Sequence, residues 1–113
     1  MYNQTIRRKE DNVNIEVTLR HIDNPPPNLK EYIAEKVSHI TKYGVVDKVS
    51  VIASDEHSHD LNKRYLLEIV VRSRGQEFVA KSAGANLLSA TDEVVSRLSK
   101  QIVKHKERRK EHH

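Results

Sequence analysis

A chain of 113 residues holds enough material for one two-layer core and not for two. It contains no cysteine, which excludes disulfides and thiolate chemistry, and its net charge of +4 is too small to indicate a partner by itself. No apolar run marks the first fifteen residues, where Arg7, Arg8 and Lys9 fall, so neither a signal peptide nor a membrane span is expected and the default compartment is the cytoplasm.

Residues 1–12 are polar apart from an isolated Ile6 and read as a flexible N-terminal extension. From Val13 the pattern changes: Val13, Ile15, Val17 and Leu19 alternate with Asn14, Glu16, Thr18 and Arg20, the period of a half-buried strand. Pro25, Pro26 and Pro27 then impose a rigid connection. Asn28 followed by Glu31 reads as a capping box opening a helix on which Leu29, Tyr32, Ile33, Val37, Ile40 and Tyr43 recur at helical spacing, with Gly44 placed to end it. Lys36 falls inside that stripe, so its stem should be covered while its ammonium reaches the edge.

Val45 to Ala53 predicts a second strand, and the acidic stretch Ser54 to Asn62 a solvated loop. Arg64 to Arg72 is the most strand-like segment, apolar on both sides: Tyr65, Leu67, Ile69 and Val71 on one, Leu66 and Val70 on the other. A tight turn at Ser73 to Gln76 leads to a fourth strand over Glu77 to Lys81 and a junction at Ser82-Ala83-Gly84. Asn86 to Lys110 predicts one long helix whose stripe of Leu87, Thr91, Val94, Val95, Leu98, Ile102 and His105 faces a core. The expected fold is an α/β two-layer sandwich, β-α-β-β-β-α, with a four-stranded sheet and both helices packed on one face. Residues 13–108 make the single domain, and 109–113 a basic tail in which His112 and His113 are native or a tag remnant.

Charge is unevenly distributed. From Arg97 to Lys110 seven cations (Arg97, Lys100, Lys104, Lys106, Arg108, Arg109 and Lys110) meet one acid, Glu107. Arg97, Lys100, Lys104 and Arg108 stack at i, i+3 or i+4 spacing, where like charges cost a few tenths of a kcal/mol per pair, so an anionic polymer is the natural partner. Two neighbouring helices pool their solvent faces, adding Lys30 and Lys42 outward and Lys36 at the rim. The aromatic residues are better placed in the core than on a stacking surface, which favours recognition of folded RNA by shape and backbone. The bland alternative is a solvated basic face.

Other chemistry finds little footing. The glycines are too dispersed for a phosphate-binding loop, no nucleophile and base stand in a recognisable arrangement, and His105 reads as a packing residue. Asp55, His57, His59 and Asp60 lack the spacing of a structural zinc site and read as loop. Neither catalysis nor a cofactor is expected.

Several local motifs in order complete the sequence evidence: Leu29-Lys30-Glu31-Tyr32-Ile33, Val49-Ser50-Val51, Glu77-Phe78-Val79-Ala80, and above all Ala90-Thr91-Asp92 followed by Arg97-Leu98 and Gln101-Ile102-Val103-Lys104-His105-Lys106. This succession resembles the ribosome hibernation promoting factors, also called ribosome-associated inhibitor or light-repressed proteins, in their short single-domain form. Departures are Asn86-Leu87-Leu88 where many members carry Asp-Met-Tyr, the triple proline at the start of the first helix, the N-terminal extension, and the lack of an acidic tail.

The resemblance implies a ribosome-binding domain over residues 13–108 that occupies the channel for messenger and transfer RNA on the small ribosomal subunit. Its helical face would lie against 16S ribosomal RNA, and translation would be inhibited by steric occlusion during stress or stationary phase. It implies RNA contacts from Arg97, Lys100, Lys104, Lys106 and Arg108, with Lys30, Lys36, Lys42, Lys81, Arg64 and Arg72 as secondary candidates. The alternative reading is a protein-interaction or weakly self-associating module that uses the open sheet face or a sheet edge.

Overall fold

The computed structural model describes the backbone of residues 2–8, 13–43 and 46–111 and the side chains of 14–42 and 46–107. Gly44 and Val45, the expected helix stop and strand start, lie outside those residues, as do His112 and His113 and the side chains of Tyr43 and Arg108.

Strand β1 (Tyr2–Arg8) runs antiparallel to β2 (Val13–Arg20), with Ile6 opposite Ile15 and Tyr2 opposite Leu19. The sequence predicts a flexible extension over residues 1–12, of which 2–8 form this strand while 1 and 9–12 lie outside the described residues. The correction has a backbone cause: the outer side of β2 offers a row of main-chain donors and acceptors that another segment can pair with whatever its apolar content. β2 pairs in parallel with β3 (Lys48–Asp55), the crossover between them being α1 (Leu29–Ser38) and a 3₁₀ helix over His39–Tyr43. β4 (Tyr65–Ser73) and β5 (Gln76–Gly84) complete an antiparallel meander, and α2 (Leu87–Glu111) closes the chain. The sheet order is β1-β2-β3-β4-β5. The predicted β-α-β-β-β-α unit is thus present as β2 to α2, with both helices on one face and β1 added at one edge.

The core forms where the strand and helix periods meet. Ile15, Val17 and Leu19 from β2, Val49, Val51 and Ala53 from β3, and Leu67, Ile69 and Val71 from β4 are buried on one sheet face. Ile33 and Val37 from α1 and Val94 and Leu98 from α2 cover them. Phe78 and Tyr65 pack against this cluster from its rim.

Local chemistry moves several boundaries. Asn28 has φ 61, a left-handed conformation, and its side chain caps nothing; Leu29 N–H on the Pro26 carbonyl at 3.2 Å closes a turn ahead of the helix, and Tyr32 N–H on the Asn28 carbonyl at 2.9 Å closes its first turn. At the other end of α1, the Ser38 hydroxyl takes the Glu35 carbonyl and the His39 N–H bonds Lys36, three residues back, so the chain tightens to 3₁₀ geometry. β3 runs on through Ser54 and Asp55, which pair with Leu66 and Tyr65. The segment expected as a junction, Ser82 to Gly84, remains paired with β4, and α2 continues through Glu111 rather than giving way to a tail at 109. The β4–β5 turn places Arg74 at φ 49 and Gly75 at φ 80, the two positive values that a two-residue hairpin of matching twist requires.

Candidate nucleic-acid interface

Helix α2 is nucleated by Asn86, whose Oδ1 accepts the Ser89 N–H at 2.8 Å. Its inward side chains are Leu87, Ala90, Thr91, Val94, Val95, Leu98 and Ile102, all buried, and the Thr91 hydroxyl is satisfied by the Leu87 carbonyl at 2.8 Å. His105 stands edge-on to Phe78 with ring centroids 5.5 Å apart, which makes it a packing residue.

With the apolar side committed, the cations divide according to their partners. Lys100 and Lys104 are exposed, one turn apart, and among the described residues neither pairs with a carboxylate. They flank a shallow groove of about 450 Å³ lined also by half-buried Val103, Ser99 and Glu107 among the described residues. Lys106 is exposed too, but at about 100° per residue it projects nearly opposite Lys104 and does not extend the same row. Arg97 is engaged: Nη1 donates to the Lys81 carbonyl at 2.6 Å and Nη2 donates to Glu93 Oε1. Arg108 has its backbone in the same helix.

The two helices join at Asp92. Tyr32 Oη donates to Asp92 Oδ1 at 2.7 Å, and Lys36 Nζ lies 3.8 Å from the same oxygen and 5.5 Å from the Tyr32 ring. The hydrogen bond to Asp92, then partial burial and the nearby carboxylates, raise the Tyr32 pKa above its ordinary value. The Lys36 ammonium therefore sits at the rim, as expected, but is shared with an acid. Lys42 is exposed on the 3₁₀ helix, whereas Lys30 is half-buried and engaged within the protein.

The remaining candidates lie elsewhere. Arg72 and Lys81 project from the open face of the sheet, away from the helices, each matched to the acid directly across the strand pair: Arg72 with Glu77 at 3.7 Å, Lys81 with Glu68 at 3.9 Å. Arg64 clamps Asp55, which is 6% exposed, through Nε and Nη2, the shortest contact being 2.9 Å. This pairing holds the Asp55 carboxyl below the ordinary carboxylate range and raises the Arg64 pKa. Asp55 also accepts the His57 N–H at 2.9 Å, so this stretch is built around an ion pair; among the described residues no group of three or more His, Cys, Asp or Glu could hold a metal.

Residues 15–110 match the family model described as Sigma 54 modulation protein / S30EA ribosomal protein. The chain belongs to this family. Two solved structures share the S30EA fold seen here. The Thermus thermophilus Protein Y N-terminal domain has a TM-score of 0.65 and 19% identity, over 79% of this chain and 94% of that one. A ribosomal subunit interface protein from Coxiella burnetii has a TM-score of 0.62 and 16% identity, over 80% and 96%. Comparison with curated protein sequences gives no match. The S30EA match begins at Ile15, so β1 lies outside it, and it takes in the basic half of α2. No helix among the described residues is long and apolar enough to cross a membrane.

Within this S30EA domain the structure gives roles to Glu93, which the motifs do not include, and to Gln101, which they include without a role. Glu93 and Gln101 share a flank of α2 with Arg97; Gln101 Nε2 donates to the Val79 carbonyl at 3.0 Å, and Glu93 Oε2 accepts the Ser82 hydroxyl at 2.8 Å. The i, i+4 spacing of Glu93 and Arg97 was a legible sign of their pairing. The contacts to β5 had no such sign, since they depend on which strand lies beneath the helix.

Proposed function

We propose that this protein binds the small ribosomal subunit with its helical face against 16S ribosomal RNA, in the channel for messenger and transfer RNA, and inhibits translation by occupying their place under stress or in stationary phase. The observation that carries this reading is the pair Lys100 and Lys104: exposed, adjacent, without a carboxylate partner among the described residues, and on a helix anchored by buried side chains from Leu87 to Ile102. Lys42 is exposed as well, and Arg108 continues the row by spacing. Family membership supplies the ribosomal context, and the Coxiella burnetii relative is described as a ribosomal subunit interface protein.

The mechanism breaks no bond. Phosphate groups would relieve the mutual repulsion of the lysines and release counterions, so affinity falls steeply with salt. A sandwich whose helices are already packed loses little conformational freedom on binding, which leaves more of the contact energy for affinity. This reading places the protein in the cytoplasm with the ribosome as its partner. Self-association through the β5 edge finds less support, because α2 side chains occupy carbonyls of that strand.

Sedimentation of the protein with purified small subunits tests the proposal. Preloading the subunits with messenger RNA and transfer RNA should exclude the protein. Full simultaneous occupancy by all three would contradict occlusion.

A further inference from the structure

Four side chains on one flank of α2, each four residues after the last, meet β5 in reverse order. Glu93 accepts from Ser82, Arg97 donates to the Lys81 carbonyl, Gln101 donates to the Val79 carbonyl, and His105 packs on Phe78. Four residues of helix rise about 6 Å and two residues of strand about 6.6 Å, so a helix antiparallel to a strand can repeat the same kind of contact without strain. β5 is the last strand of the sheet, and residues 79 and 81, being two apart, turn their carbonyls the same way, outward from β4. Without Arg97 and Gln101 those acceptors would form an open edge.

We infer that Arg97 and Gln101 are positioning residues, a clasp that seats α2 on the outer edge of β5 and so fixes the presentation of Lys100 and Lys104 to RNA, with Arg97 itself making no phosphate contact. This rests on the proposed function. The guanidinium of Arg97 is held between a carbonyl and a carboxylate that is itself fixed by Ser82. Turning Arg97 toward a phosphate would strip the Lys81 carbonyl of this partner and leave Glu93 facing the incoming anion. Gln101 carries no charge, so its contribution to binding would act through placement alone.

Three single variants, Arg97→Lys, Gln101→Leu and Lys100→Gln, separate these roles when small-subunit binding is measured over a series of salt concentrations and hydrogen exchange is followed in β5. Gln101→Leu and Arg97→Lys should each weaken binding about fivefold, the effect of one lost hydrogen bond. Their salt slopes should stay unchanged and exchange through β5 should quicken. Lys100→Gln should leave β5 exchange unchanged and reduce the slope by about 0.7 to 0.9, one phosphate contact. The inference is overturned if Arg97→Lys keeps wild-type affinity, or if β5 exchange is unchanged in both clasp variants. Failure of the wild-type protein to bind small subunits would remove the functional reading, and with it the role of the clasp in RNA presentation. The exchange measurement would then still decide whether the clasp itself exists.

Discussion

Tyr32 on α1 and Asp92 on α2 share a hydrogen bond of 2.7 Å, the contact that turns two helices into one surface. Asp92 also draws Lys36 inward, so the seam between the helices is close to neutral while the far half of α2 remains basic. The proposed interface is therefore displaced toward Lys100 and Lys104 rather than spread evenly over both helices.

Tyr32→Phe should cost about 1 kcal/mol, the usual worth of a hydrogen bond, read from chemical denaturation. The pH dependence has a definite sign. Because the folded state raises the Tyr32 pKa, its contribution is complete below the unfolded value near 10 and is lost as pH rises through the folded one. Stability of the wild type should therefore fall more steeply in alkali than that of Tyr32→Phe.

Asp55 makes the opposite prediction. Arg64 holds its carboxyl below the ordinary range, so the ion pair contributes fully above the unfolded pKa near 4 and is lost as pH falls through the folded value. Thermal unfolding followed by circular dichroism should show Asp55→Asn with a lower midpoint than wild type near neutrality and a smaller further decline on acidification. Parallel pH profiles for the two proteins would remove the ion pair from the account of stability.

The core and the helix cap set a scale for these effects. Leu98 is fully buried beneath α2, and Leu98→Ala should cost about 2 to 5 kcal/mol through lost burial and a residual cavity. Asn86→Ala removes the acceptor for the Ser89 N–H and should cost about 1 kcal/mol. Urea midpoints with an unchanged slope would check both.

Much of this architecture was legible because period and burial agree. The alternation through Val17 and Leu19 and the helical stripe through Leu98 each predicted the face that the structure buries, and the strand around Ile69, apolar on both sides, is interior to the sheet. The misses share a physical character. β1 is held by main-chain pairing, which leaves no hydrophobic pattern. Asn28 takes a left-handed conformation that no residue spacing announces, and Ser38 tightens its helix through a local hydroxyl bond.

The same distinction runs through the candidate site. Spacing along α2 indicated a basic row, and Glu93 four residues before Arg97 was a sign of their pairing, but it could not show that Arg97 also donates to the Lys81 carbonyl. Nor could it show that Arg72 and Lys81 lie on the opposite side of the sheet facing Glu77 and Glu68, because cross-strand partners are set by register. Lys100 and Lys104 are exposed and, among the described residues, pair with no carboxylate.

The most direct test is the salt dependence of small-subunit binding for the wild type and the double variant Lys100→Glu/Lys104→Glu, with the fold of each checked by circular dichroism. The account predicts a loss of at least about tenfold in affinity at low salt and a slope shallower by about 1.4 to 1.8, the release associated with two phosphates. Equal affinity and equal slope for the two proteins across the titration would contradict it.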